Sequence, residues 1–222
     1  PVRVVVSILP QSYFVERIGG EKVRVNVLVA PGKSPATYAP SPAQISNLAG
    51  ANVYFRIGVP FENVLLGKIG SIAGQVLVVD TRRGIHLRKM ETGHHVHESE
   101  KTRHSGAVEA AAPSHGEAGK DPHIWLDPKL VRQQAVTICE TLIRIDREGA
   151  AFYQSNLEKF RSDLETLDDK LKRILAPYHG ENLYVFHPSF GYFADAYGLR
   201  QLPIEIEGKA PKGKDVYLFI HA

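Results

Sequence analysis

The sequence predicts an α/β protein with two lobes of parallel sheet flanked by helices, joined by one long rigid helix, the C-terminal lobe being incomplete. Three stretches carry that reading. From Val2 to Asp80 the chain repeats strand, helix, strand, the order that builds a parallel sheet covered by helices on both faces. From Ala150 to Leu175, apolar Tyr153, Leu157, Phe160, Leu164, Leu167, Leu171 and Ile174 fall at steps of four and three, with charged residues between them. That is a helix with one buried stripe. No Gly or Pro interrupts it before Pro177, so it should form a rod of about 40 Å, longer than one small domain. After the rod the strand and helix pattern resumes with two strands and two helices, too few for a complete lobe.

Taken in order, Val2 to Leu9 reads as a buried strand, Gln11 to Ile18 as a helix stopped by Gly19-Gly20, and Val23 to Ala30 as a second strand. Pro31 to Pro42 is a proline-stiffened loop, and Ser41 with Pro42 suits the N-cap and first position of a helix through Ala49. Asn52 to Ile57 is a third strand, Phe61 to Ile69 a short helix and Gln75 to Asp80 a fourth strand. Between Met90 and Lys120 the apolar pattern gives way to Gly, Ala, Ser and Glu with His94, His95, His97, His104 and His115. Such a composition cannot bury enough apolar surface to order itself, so a disordered His-rich loop is expected at 91–120. Asp127-Pro128 opens a helix to about Ile145, and a break near Asp146 to Gly149 leads into the rod. Beyond it, Leu183 to Phe186 reads as a strand, Ser189 to Tyr197 as a helix ended by Gly198, Leu202 to Ile206 as a strand and Asp215 to Ile220 as the start of a helix. The expected domains are an N-terminal lobe at 1–148, the linking helix at 149–177 and a partial C-terminal lobe at 178–222.

Composition excludes several classes. Hydrophobic residues at 43% supply real cores, while 27 basic against 24 acidic residues, without a basic tract, give no reason to expect nucleic acid as a partner. Cys139 stands alone, which rules out an internal disulfide and fits a buried helix position. No apolar run reaches the ~18 residues of a membrane span. The chain opens on a strand, without a leader or methionine, so it is expected either to stay in the cytoplasm or to have lost an export signal, and the start at Pro1 favours a processed chain.

Three residues stand out as candidates for chemistry. His123 follows Pro122 and precedes an apolar segment, so its backbone is fixed; alone it reads more often as a hydrogen-bonded structural residue than as a ligand. His187 ends a strand, where α/β sheets carry ligand-binding residues, or else caps the helix opening at Ser189. Glu62 follows the third strand and reads either as a metal ligand or as a solvated residue favoured by a helix dipole, and Arg56 could pair with it. The aromatic residues Phe190, Tyr192, Phe193 and Tyr197 read as core, and His86, His179 and His221 as structural or exposed.

Over nearly its whole length the chain resembles a family. The carriers of the resemblance are the Pro31 to Pro42 loop, Gly58-Val59-Pro60-Phe61-Glu62, the His-rich insertion, Asp121-Pro122-His123-Ile124-Trp125-Leu126-Asp127-Pro128, the long helix, and Phe186-His187-Pro188-Ser189-Phe190-Gly191-Tyr192-Phe193 with Tyr197-Gly198-Leu199. Together they resemble the periplasmic zinc- and manganese-binding solute-binding proteins of bacterial ABC importers, the cluster with a rigid linking helix. The resemblance implies His123 and His187 as metal ligands. It also shows two departures. The family's first histidine ligand falls where this chain has Pro35-Ala36-Thr37, and a fourth, carboxylate ligand would lie beyond Ala222. Glu62 or a water molecule is then the expected substitute at Ala36.

The function so implied is capture of a divalent transition metal between two lobes and delivery to an ABC transporter permease, without catalysis. Zn2+ is favoured over Mn2+ because such insertions accompany zinc carriers. A periplasmic or membrane-tethered monomer is expected, with any lipid tether outside this chain. Affinity should fall as pH drops through the histidine range, near ~6.5 for an unperturbed residue, since binding needs neutral imidazoles. Two rivals are an adhesin-like interaction protein on the same fold without metal, and a metal-dependent hydrolase using His123 and His187 with Glu62 as base.

Overall fold

The computed structural model describes residues 1–72, 76–90 and 119–204, leaving aside the side chains of 69–72. Packing divides the chain into two compact units, Pro1–His86 with Ile124–Pro177, and Leu87–His123 with Tyr178–Ala222.

The first unit is built on β1 (Val2–Val6), β2 (Val23–Val27), β3 (Val53–Arg56) and β4 (Leu77–Asp80), all parallel in the order β2-β1-β3-β4. Val4, Val5 and Val6 in central β1 are all buried, as a β-branched run covered on both faces must be. Edge strand β2 alternates instead, with Arg24 and Asn26 outward. Helices α1 (Leu9–Gly19), α2 (Pro42–Ala49) and α3 (Phe61–Ile72) connect the strands. The first strand is shorter than expected because Leu9 already begins α1. β2 stops at Val27, although the Leu28 and Val29 amides still donate to the Val6 and Ser7 carbonyls at 2.9 and 3.0 Å. α2 starts as its sequence dictates: Ser41 Oγ accepts from the Gln44 amide, and Gln44 Oε1 from the Ser41 amide, with Pro42 in the first turn. The order in which strands are added reverses between β1 and β3, a topological switch point, and because the strands are parallel Ser7, Arg56, Asp80 and Thr81 gather at their carboxyl ends.

The unit is completed by α4 (Pro128–Ile145) and α5 (Ala150–Leu175). Asp127 caps α4, its Oδ1 accepting from the Lys129 amide at 2.8 Å. Val131, Ala135, Ile138, Cys139 and Leu142 share its buried face, and burial pushes the Cys139 thiol up to about 11. The 26-residue α5 has the expected bounds. Tyr153, Leu157, Phe160 and Leu164 are buried in the same core as Phe14 and Ile18 of α1 and Ile138 and Leu142 of α4, so the helix belongs to the first unit. Past Leu164 the stripe opens: Leu167 is 43% and Ile174 53% exposed, and Asp168 is the buried residue, paired with Lys172 at 2.8 Å. No helix among the described residues is long and apolar enough to cross a membrane.

In the second unit β5 (Asn182–Val185) and β6 (Arg200–Pro203) pair in parallel around α6 (Gly191–Tyr197). β6 lies two residues earlier than the sequence suggests, with Pro203, which has no amide to donate, as its last residue. Gly198 ends α6 at φ 71°, the left-handed conformation that glycine tolerates. The described flanks of the histidine-rich insertion also belong here and not to the first lobe. Lys89 and Lys120 form an antiparallel bridge, the Met90 amide donates to Gly119 at 2.8 Å and the Asp121 amide to Arg88 at 3.0 Å. The five insertion histidines, His221 and the helix expected from Asp215 lie outside the described residues.

Candidate metal centre

Asp121, Pro122 and His123 make a short turn whose geometry follows from their order. Proline fixes its own φ and leaves the carboxylate two residues before the histidine free to fold back over it. The Asp121 side chain is wholly buried, and its Oδ1 accepts both the His123 amide at 2.9 Å and ring Nδ1 at 2.6 Å. An imidazole that donates from Nδ1 carries its lone pair on Nε2, and a carboxylate behind a histidine is how metal-binding rings are oriented.

His187 follows the end of β5, and its ring centroid lies 5.2 Å from that of His123 with the planes at 72°. That spacing suits a shared ion. With Zn–N near ~2.0 Å and each ring centre about 1.2 Å behind its nitrogen, two imidazoles at a tetrahedral angle sit roughly 5 Å apart, centre to centre. His123 is buried and His187 exposed, so the pair has an inner and an outer member. The alternative role for His187, capping a helix, is not what the structure has. α6 begins at Gly191, and its N-cap is Phe190, whose amide donates to Gln201 Oε1 at 2.6 Å.

Glu62 is neither solvated nor exposed; its side chain is fully buried within the first unit. Oε1 accepts from the Ile57 amide at 2.9 Å and from Ser7 Oγ, while Oε2 accepts from the Gly58 amide at 2.7 Å and from Arg56 Nε at 3.2 Å. Burial raises its pKa, with the Ser7 hydroxyl, the two amides and Arg56 pulling the other way. Ser7 also bonds the Tyr54 hydroxyl at 2.7 Å, and burial followed by the nearby Glu62 charge holds that phenol well above its usual range. Arg56 pairs with Glu62 as the sequence suggests and also approaches Asp80 at 3.5 Å. Ala36 offers a metal nothing but a methyl group, and its amide donates to Ser34 Oγ at 3.3 Å. Among the described residues no group of three or more His, Cys, Asp or Glu side chains that could hold a metal ion converges.

Sequence reasoning passed over Asp121, although an aspartate two residues before a candidate ligand was a readable signal. It also read Tyr192 as core. The ring is buried, yet its hydroxyl accepts from the Arg88 amide at 3.1 Å and donates to the Asp121 carbonyl at 2.9 Å, fastening both flanks of the insertion.

The sequence pattern of the family described as zinc-uptake complex component A, periplasmic, matches residues 4–220. The high-affinity zinc uptake system protein ZnuA of Paracoccus denitrificans is 32% identical over 209 residues, 89% of this chain and 64% of that protein. The manganese-binding lipoprotein MntA of Halalkalibacterium halodurans is 26% identical over 199 residues, 89% of this chain and 58% of that protein. A crystal structure of ZnuA superposes with a TM-score of 0.82 at 37% identity, over 99% of this chain and 76% of that one. The chain spans less than two thirds of the length of the curated relatives it matches.

Proposed function

Since this chain belongs to the periplasmic zinc-uptake component A family, we propose that it captures a divalent transition metal outside the cytoplasm and hands it to the permease of an ABC importer. The cargo is zinc, with manganese as the alternative, a choice supported by the names of the relatives. The chain binds and releases; it does not catalyse.

The observation that carries the reading is the His123 and His187 pair, spaced as two imidazoles on one ion would be and backed by a buried carboxylate. Neutral imidazole nitrogens suit zinc, and two of them are half of a tetrahedral set. Water or further ligands complete it. Glu62 is assigned a structural role, because both its oxygens hold the turn after β3. The protein acts as a monomer, and a lipid tether, as the name of one relative indicates, holds it at the membrane.

Calorimetric titration with zinc and with manganese tests this on the chain, on His123→Ala, on His187→Ala and on a variant lacking residues 93–118. One tight site that survives the deletion and disappears with either histidine supports the reading. If all binding follows the deleted segment, the pair is not a metal site, and an interaction role on the same fold takes its place.

A further inference from the structure

We propose that Arg88 is a positioning residue for metal capture: its guanidinium, seated in a slot that Gly191 leaves open, locks the Asp121 carboxylate in the orientation that holds His123 ready to bind through Nε2. The proposal rests on the metal reading above for its purpose, though not for its geometry.

Arg88 stands before the bridged pair at the foot of the insertion and is fastened at several points. Its carbonyl accepts the Asp121 amide at 3.0 Å, and its own amide donates to Tyr192 Oη at 3.1 Å. The guanidinium reaches across two carboxylates, Nε to Asp195 Oδ2 at 3.1 Å and one terminal nitrogen to Asp121 Oδ2 at 3.5 Å. Asp121 is thus divided: Oδ2 faces the arginine and Oδ1 faces His123. Rotation of the carboxylate would withdraw the acceptor from Nδ1–H, and the guanidinium opposes that rotation as a buried charge 3.5 Å from Oδ2, without a hydrogen bond between the two atoms. A planar fork with two donating edges fixes the orientation of two carboxylates, which the rotatable ammonium of a lysine does not.

The slot is equally specific. A Cβ on Gly191 would stand 1.3 Å from the terminal nitrogen of Arg88 and 3.0 Å from Asp121 Oδ2. Gly191 is the first residue of α6, and its φ does not call for glycine. Alanine suits a helix better, so the glycine is explained by the room it leaves for the guanidinium. Two chemically unrelated changes, at Arg88 and at Gly191, should therefore have one consequence at His123.

The test reads the His123 tautomer directly, by long-range nitrogen–proton NMR correlation on the metal-free, isotope-labelled chain, with His123→Ala identifying the signals. The parent should hold its ring proton on Nδ1. Arg88→Met and Gly191→Ala should each yield a mixture of tautomers and weaken zinc binding by about tenfold or more. In the double variant, Gly191→Ala should add little to Arg88→Met. Should Arg88→Met fail to fold by circular dichroism, Arg88→Lys and Gly191→Ala carry the test, and both should show the mixture. A folded Gly191→Ala that keeps the parent tautomer and zinc affinity overturns the proposal. So does a Gly191→Ala effect that persists undiminished without Arg88. Because the tautomer is read without metal, a parent that binds no zinc at the pair but still responds to both changes would sink the metal reading and leave the positioning intact.

Discussion

Arg56 meets the buried carboxylate of Glu62 at 3.2 Å, and the two residues bracket the Ile57–Gly58 turn that ends β3. Removing the carboxylate strands the Ile57 and Gly58 amides and leaves the Arg56 guanidinium with Asp80 but without its buried partner. Glu62→Ala should cost about 3 kcal/mol, the usual loss when one partner of a buried pair goes. Glu62→Gln keeps the shape but points an amide donor at other donors, for about 1–3 kcal/mol. Urea denaturation reads both, and titration of the folded Gln variant should give zinc affinity within about twofold of the parent. A much larger loss would return Glu62 to the ligand set.

Asp80 offers a pH test. Burial pushes its carboxyl up, but hydrogen bonds and charge from Arg82, at 2.6 Å, with Arg56 beyond, prevail and hold it below the usual range. A depressed carboxylate stabilises the fold above its unfolded pKa near ~3.9 and loses that contribution as pH falls through the folded value. The stability gap between the parent and Asp80→Asn should stay constant from neutral pH to about 5 and close at lower pH. Urea midpoints along that series decide it; a gap that widens on acidification would contradict the assignment.

Two residues of one apolar stripe should behave unlike each other. Phe160 is 1% exposed between α1 and α4, and Phe160→Ala should cost about 3–5 kcal/mol. Leu167, one period on, is 43% exposed, and Leu167→Ala should change stability by no more than about 0.5 kcal/mol. Thermal or urea unfolding of the two variants makes the comparison.

The same stripe shows what periodicity can and cannot convey. Heptad-like spacing located α5 to the residue, because Ala150 to Leu175 contains nothing that breaks a helix. Spacing is silent about where along a helix its partners stop, so the exposed turns after Leu164 were not visible. Pro42 and Asp127 marked helix starts because a cap is a local bond between near neighbours. The histidine pair was legible through two short motifs, whereas its support was not, because Arg88, Asp121 and Tyr192 come together only across the foot of the insertion. Glu62 was ambiguous for a related reason: its four donors come from the residue after β1, from β3 and from the turn after β3, and no local pattern announces such a convergence.

The core of the first unit draws on both ends of a long interval of chain, since Val4 and Phe55 pack in one cluster with Ile138, Phe160 and Leu164. At about 5–20 residues per second, the stretch from Val4 to Leu164 takes roughly ten to thirty seconds to synthesise. Throughout that time the valine-rich strands lack the helices that will cover one of their faces. Strands that pair before α4 and α5 pack on them leave an apolar surface open, and the yield of folded protein then depends on how well that surface is kept from other chains until those helices arrive.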